Sequence, residues 1–195
     1  MRIEGKQVVL RDEPRDGDSE DLFRWLNLEE WNYYDEPDKP FEPVTREEFE
    51  IRRNHPRQPI ASAHTWQVDT LGGRHIGWVN YYHLNDREGH ALVGIALPEP
   101  QEWGKGYGTE VVCLVSDYLF RQMGLAEVRT ETWTGNNRMM RVAEKCGFRS
   151  TGLSPHRAAL SVRGEPLEFI HFSISRTEWL SRGNKNTLTL HFNRT

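Results

Sequence analysis

The stretch QEWGKGYGTEVV, Gln101 to Val112, sets Gly104, Gly106 and Gly108 at alternate positions, with Lys105 among them, directly before a helical run. A helix N-terminus carries backbone N–H groups without intrahelical partners and a partial positive charge, and glycine lets a ligand come close to that backbone. Such a place suits a phosphate. A Walker loop needs GxxxxGK followed by Ser or Thr, and no such run occurs. The dinucleotide fingerprint needs GxGxxG in an early strand-turn-helix unit, whereas this chain has GxGxG after an antiparallel meander. A tight turn followed by an ordinary helix start also fits the glycines alone.

Outward from the loop, the flanking segments read as a mixed α+β chain. Downstream, Val111, Val112, Val115, Tyr118, Leu119 and Met123 form one helical stripe that Gly124 ends. LAEVRTETW reads as a strand, NNRMMRVAEKC as a helix bounded by Gly147, RAALSV and LEFIHFSI as a hairpin across RGEP, and SRTEWL as a short terminal helix. Upstream, SAHTWQVDT, RHIGWVNYYHL and HALVGIAL are strands separated by the turns LGGR and NDREG. Before them come a strand, KQVVLRD, and a helix, DSEDLFRWLN, with Asp18 or Ser19 as N-cap. The loop WNYYDEPDKPFEP is broken by prolines, and a second helix follows, opened by a Thr45/Glu48 capping box. No repeat or linker interrupts this order. One domain over residues 1–182 is expected, with a tail, residues 183–195, whose LTLHF alternates weakly.

Composition narrows the function. A chain of 195 residues with 36% apolar content can bury one ordinary core. No stretch has the pattern of a signal peptide or the roughly 18 apolar residues of a membrane helix, so a cytoplasmic chain with no membrane partner is expected. Cys113 and Cys146 form no CxxC and read as reduced core thiols. The eight histidines make no HExxH or comparable spacing, so no metal is expected. Residues 1–50 hold 16 acidic and 7 basic side chains. That balance disfavours nucleic acid and fits attraction of a cationic substrate.

A second segment gives the glycine stretch its meaning. QEWGKGYG followed by NNRMMRVAEKCGF, Asn136 to Phe148, resembles the paired signatures of the GNAT superfamily of N-acetyltransferases. The likeness runs from residue 6 to about 180 and is closest to the branch of ribosomal-protein N-terminal and spermidine acetyltransferases. It implies a single GNAT-like domain with a mixed, mostly antiparallel sheet, a splayed central strand pair and flanking helices. It implies acetyl-coenzyme A as co-substrate, with its pyrophosphate held by Gln101, Trp103, Gly104, Lys105, Gly106, Tyr107, Gly108 and Thr109. Backbone groups of Ile95, Ala96 and Leu97 would pair with the pantetheine arm, and Asn136 would contact that arm or serve as a plain N-cap. The acceptor would be a primary amine: a protein N-terminus, a polyamine or a small amine. A homodimer is left open.

Acyl transfer to an amine sets its own demands. An amine of pKa about 10 is neutral in under one molecule per thousand at pH 7, so a base or a water chain must take its proton. The superfamily often places a Tyr seven residues, or a Ser three residues, after the motif Asn as proton donor. Here those positions hold Ala143 and Met139. Glu131 is the first choice of base, because alternation puts it with Trp133 on the face opposite Thr130 and Thr132. His90, at the start of the preceding strand, is the second. Trp31, Tyr33, Tyr34, Tyr82 and Glu168, with Trp78 and Tyr81 nearby, supply rings and charge for a cationic amine. Two other classes stay in view: an acyl-coenzyme A binding module without turnover, suggested by Ala143 and Met139, and a dinucleotide-dependent oxidoreductase.

Overall fold

In the computed structural model, which describes residues 1–54, 63–85 and 89–182, eight strands join one sheet. They are β1 (Arg2–Glu4), β2 (Val8–Arg11), β3 (Ala63–Thr70), β4 (His75–Asn85), β5 (His90–Ala96), β6 (Glu127–Trp133), β7 (Arg149–Leu160) and β8 (Pro166–Ser175). Their spatial order is β1-β2-β3-β4-β5-β6-β8-β7. Neighbours run antiparallel except β5 and β6, which are parallel. Six helices accompany them: α1 (Asp18–Leu26), α2 (Glu29–Asp35), α3 (Arg46–Asn54), α4 (Tyr107–Arg121), α5 (Asn137–Cys146) and α6 (Arg176–Ser181).

The parallel pair opens like a fork. β5 and β6 stay in register only from His90↔Glu127 to Leu92↔Arg129. Beyond that point β5 follows β4 up to Ala96 while β6 follows β8 up to Trp133, so their facing edges part. At the crotch the buried Thr130 hydroxyl donates to the Val93 carbonyl at 2.9 Å, standing in for a ladder bond. Backbone groups of residues two apart face the same strand edge, so Ile95 turns its N–H and C=O into the open fork.

On one face of the sheet lies α4. Its predicted stripe is buried at Val111, Val112, Val115 and Leu119, and Leu114 and Phe120 are buried as well. The helix is buried over much of its length because α5 packs against it as well as the strands. Each such side chain contributes about 1.5–3 kcal/mol by leaving water. The same packing brings Cys113 and Cys146 to 3.2 Å between sulfurs, unbridged and buried. On the opposite face, α1 sets fully buried Trp25 against His75 and Trp78, with ring centroids 4.7 and 5.8 Å away.

Several local expectations give way to tertiary contacts. The proline-broken loop begins with a real helix, α2, because its prolines come only after Asp35 and burial of Trp31 and Tyr33 holds the turn. Gly17 at φ 96° caps α1 instead of Asp18 or Ser19, since the Asp18 carboxylate is taken by Arg11 at 2.6 and 2.7 Å. β1 extends the first strand into a hairpin. β7 begins at Arg149, eight residues before the expected RAALSV, because Gly152 and Pro155 are accommodated by register shifts on an edge strand. Ser62, most of the turn NDREG and the tail after Arg182 lie outside the described residues.

Candidate active site at the open fork

Two adjoining cavities occupy the fork. One, of about 280 Å³, lies against the glycine loop and α5; the other, of about 590 Å³, lies between α2, β4, β6 and β8. Tyr34, Asp35, Ile95, Ala96, Asn136 and Met139 line both, so the spaces meet where Ile95 presents its backbone.

The loop is shaped by its glycines. Gly104 and Gly106 adopt φ of 77° and 93°, conformations that side chains with a Cβ rarely take. Gly106 caps α4 with no side-chain hydrogen bond, which leaves the first-turn N–H groups facing the smaller cavity, beside Tyr107, Gly108 and Thr109. A Cβ on Gly108 would come within 3.4 Å of Val142, so glycine also lets α4 and α5 approach. Trp103 lines the cavity and its indole donates to the Leu97 carbonyl at 2.6 Å. That bond leaves Ile95 and not Leu97 as the backbone group turned to the fork. Asn136 caps α5, its side chain accepting from Met139 N at 3.2 Å, and it also lines both cavities.

Several expected contacts fall elsewhere. Gln101 is exposed and donates to Glu99 at 2.5 Å, and the Lys105 ammonium lies 3.3 Å from Glu102. His90 sits at the closed end of the fork, outside both cavities, six residues or roughly 20 Å along the strand from Ala96. Tyr33 is buried against Trp133, and its hydroxyl bonds Ser161 and Glu165 in the β7–β8 turn, so it anchors α2 to the hairpin. Glu168 points away, because alternation on β8 gives the cavity Phe169. Tyr81 faces α4, while its neighbour Tyr82 lines the larger cavity.

Glu131 and Trp133 do share that cavity, as alternation required, with Tyr34, Trp78 and Tyr82 in the walls. Trp31 lines the smaller one and meets Trp78 edge-on at 5.5 Å. Asp35 is exposed and opens onto both cavities. Desolvation first, then Glu36, push its carboxyl above the ordinary value, with Lys39 opposing. Helix α5 contributes Arg138, Arg141 and Lys145 to the smaller cavity, a cationic face suited to an anionic ligand. The guanidinium of Arg138 lies 3.6 Å from the ring centre of Trp103 and 4.1 Å from that of Tyr34. The spacing i, i+3, i+7 on an amphipathic helix was the signal that could have found these three cations.

The loop rests on a buried carboxylate. Glu102 is 2% exposed and pairs with Arg74 and Lys105. Burial works against its charge, but the two cations outweigh it and hold the carboxyl below its usual 4.5. A depressed folded value means stability that is complete above the unfolded pKa and lost as pH falls through the folded one. We expect Glu102→Gln to be less stable than the wild type at neutral pH, and the gap to close as urea-unfolding series descend below about pH 4.5. A gap independent of pH would show that the pair contributes nothing through charge.

Among the described residues no group of three or more His, Cys, Asp or Glu is placed to hold a metal ion, and no helix is long and apolar enough to cross a membrane.

A sequence model described as the acetyltransferase (GNAT) domain matches residues 7–149. The uncharacterized N-acetyltransferase YoaA of Bacillus subtilis is 27% identical over 99 residues, 51% of this chain and 54% of its own length. The chain thus spans about half the length of this curated relative. Spermidine N-acetyltransferase from Vibrio cholerae, in a crystal structure with CoA and spermine, superposes with a TM-score of 0.70 at 21% identity, over 89% of this chain and 98% of that one. A GCN5-related N-acetyltransferase from Brucella melitensis does so with a TM-score of 0.73 at 23% identity, over 92% and 80%.

Proposed function

The chain belongs to the acetyltransferase (GNAT) family, and from that premise we propose that it moves an acetyl group from acetyl-coenzyme A to a primary, cationic amine by direct attack. The observation that carries this reading is the pair of cavities meeting at Ile95. The smaller has unpartnered helix N–H groups and three cations for a pyrophosphate; the larger has rings and carboxylates for an amine. The spermine bound by the Vibrio cholerae neighbour supports an acceptor of this charge.

In this reading the phosphates lie on the first turn of α4, with Gly104, Gly106 and Gly108 allowing the approach and Arg141 and Lys145 adding charge. The arm runs along β5 into the fork. The thioester carbonyl meets the Ile95 N–H, which stabilises the oxyanion of the tetrahedral intermediate by roughly 3 kcal/mol. The amine enters past Tyr34, Trp78 and Tyr82, gives one proton to Glu131 and attacks the thioester carbon; the tetrahedral intermediate then collapses, the C–S bond breaks, and the second proton on nitrogen passes to the departing thiolate, so that coenzyme A leaves as the thiol. No acyl-enzyme is needed, because the donor is already activated.

Thermal unfolding tests the donor site. Acetyl-coenzyme A at a hundred times its dissociation constant stabilises by about 2.7 kcal/mol, which raises the midpoint by roughly 5–10 °C for a domain of this size. Thiol release on adding spermidine, spermine or a peptide with a free N-terminus then tests transfer. A shift without turnover on any amine would favour a binding module, and a shift with NADH in place of acetyl-coenzyme A would favour the oxidoreductase.

A further inference from the structure

Glu131 does not stand alone in the larger cavity. Its Oε2 lies 3.1 Å from His171 Nδ1, and His171 Nε2 lies 2.7 Å from Ser154 Oγ. The three residues come from three adjacent strands, β6, β8 and β7. Glu131 and His171 are register partners, so their side chains leave the sheet on the same face. Opposite His171 on β7 stands Gly152, with φ 138° and no side chain, and the imidazole leans past it to the diagonal Ser154. Replacing that glycine would strain the backbone, although a Cβ there would meet no other atom within 4 Å.

We propose that His171, held by Ser154, is the positioning residue for Glu131, an inference that rests on the acetyltransferase reading above. With Glu131 ionised, His171 sets its Nδ1 3.1 Å from Oε2 and accepts the Ser154 O–H at Nε2. This fixes the tautomer and leaves Oε1 aimed at the acceptor amine.

Other charges face Glu131 across the cavity: Asp35, Glu36, Asp38 and Lys39 from α2 and the residues after it, Tyr82 from β4, and His156 and Arg157 from β7. Asp38 is paired with Arg157 at 3.0 Å and Lys39 with Glu36. Along β6, Arg129 pairs with Glu127 at 2.5 Å. The His171 imidazole is in direct contact with the Glu131 carboxylate.

The experiment compares wild type, His171→Leu, His171→Asn and Ser154→Ala in thiol release across pH, using whichever amine the wild type accepts. His171 is 36% exposed, so the variants should fold. His171→Leu is expected to lower kcat by roughly ten- to a hundredfold, part of what a well-placed base supplies, with KM for acetyl-coenzyme A unchanged. His171→Asn, whose amide N–H reaches near the Nδ1 position, should recover much of the rate. Ser154→Ala should lose a few-fold. Wild-type kcat in His171→Leu would overturn the proposal, as would a loss that Asn does not repair or that falls on KM instead of kcat. A wild type that binds acetyl-coenzyme A and turns over no amine removes the acetyltransferase reading itself; turnover indifferent to these variants removes only the role of His171.

Discussion

Arg11→Met should cost about 3–5 kcal/mol of stability, a large share of the 5–15 kcal/mol that holds a typical domain. Arg11 is 4% exposed and forks between two carboxylates: Nε and one terminal nitrogen bond Asp69 at 2.8 and 3.2 Å, and both terminal nitrogens bond Asp18 at 2.7 and 2.6 Å. The Glu13 carbonyl accepts a further bond at 2.6 Å. Burial disfavours the guanidinium, but the two aspartates overcome this and raise its pKa beyond its ordinary value. Methionine keeps much of the volume and none of the donors, so two carboxylates lose their main counter-charge. In thermal unfolding the midpoint should drop by roughly 6–20 °C. Removing all three charged side chains together in favour of apolar ones should cost much less, because the desolvation they oppose disappears with them. A loss below about 1 kcal/mol for Arg11→Met would mean that Arg15, 2.7 Å from Asp69, and His75, 3.3 Å from Asp18, take over the neutralisation. The network ties β2, β3 and α1 together, and α1 carries Trp25, which backs the cavity wall at Trp78.

Glu131→Gln should lower kcat/KM for the amine by about a hundred- to ten-thousandfold while leaving the acetyl-coenzyme A thermal shift intact. The side chain keeps its shape and can still bond His171, so the loss isolates basicity from packing. The size follows from the chemistry: an amine of pKa about 10 is almost wholly protonated at neutral pH, and without a base each turnover waits for the rare neutral molecule. Raising the pH should therefore recover part of the variant's rate. Unchanged turnover would move the assignment to Asp35, the carboxyl shared by both cavities and shifted upward by its surroundings. Asp35→Asn would then carry the effect.

The elements with strong local chemistry were legible in the residues. The glycine stretch before α4, the Asn136-capped α5 ending at Gly147, the three-strand meander and the capping box at Thr45 all stand where periodicity and backbone preference put them. α2 was hidden by prolines that follow it. The long edge strand β7 was hidden by a glycine and a proline inside it.

The site divides in the same way. Alternation along β6 was enough to put Glu131 and Trp133 on one face, because that depends only on neighbouring residues. It said nothing of whether His90 or Ile95, five residues apart on one strand, stood beside the ligand space. That was decided by where β5 and β6 stop pairing, which depends on β4 and β8 drawing them apart. Likewise Tyr33 and Tyr34 are adjacent in sequence, yet one anchors the hairpin and the other lines both cavities, because a helix turns consecutive side chains about 100° apart. His171 and Ser154 met Glu131 only through strand register across some forty residues. Local patterns determined which elements form and which side chains share a face; long-range pairing decided which of those faces meet, since it brings together residues whose sequence separation no short window spans.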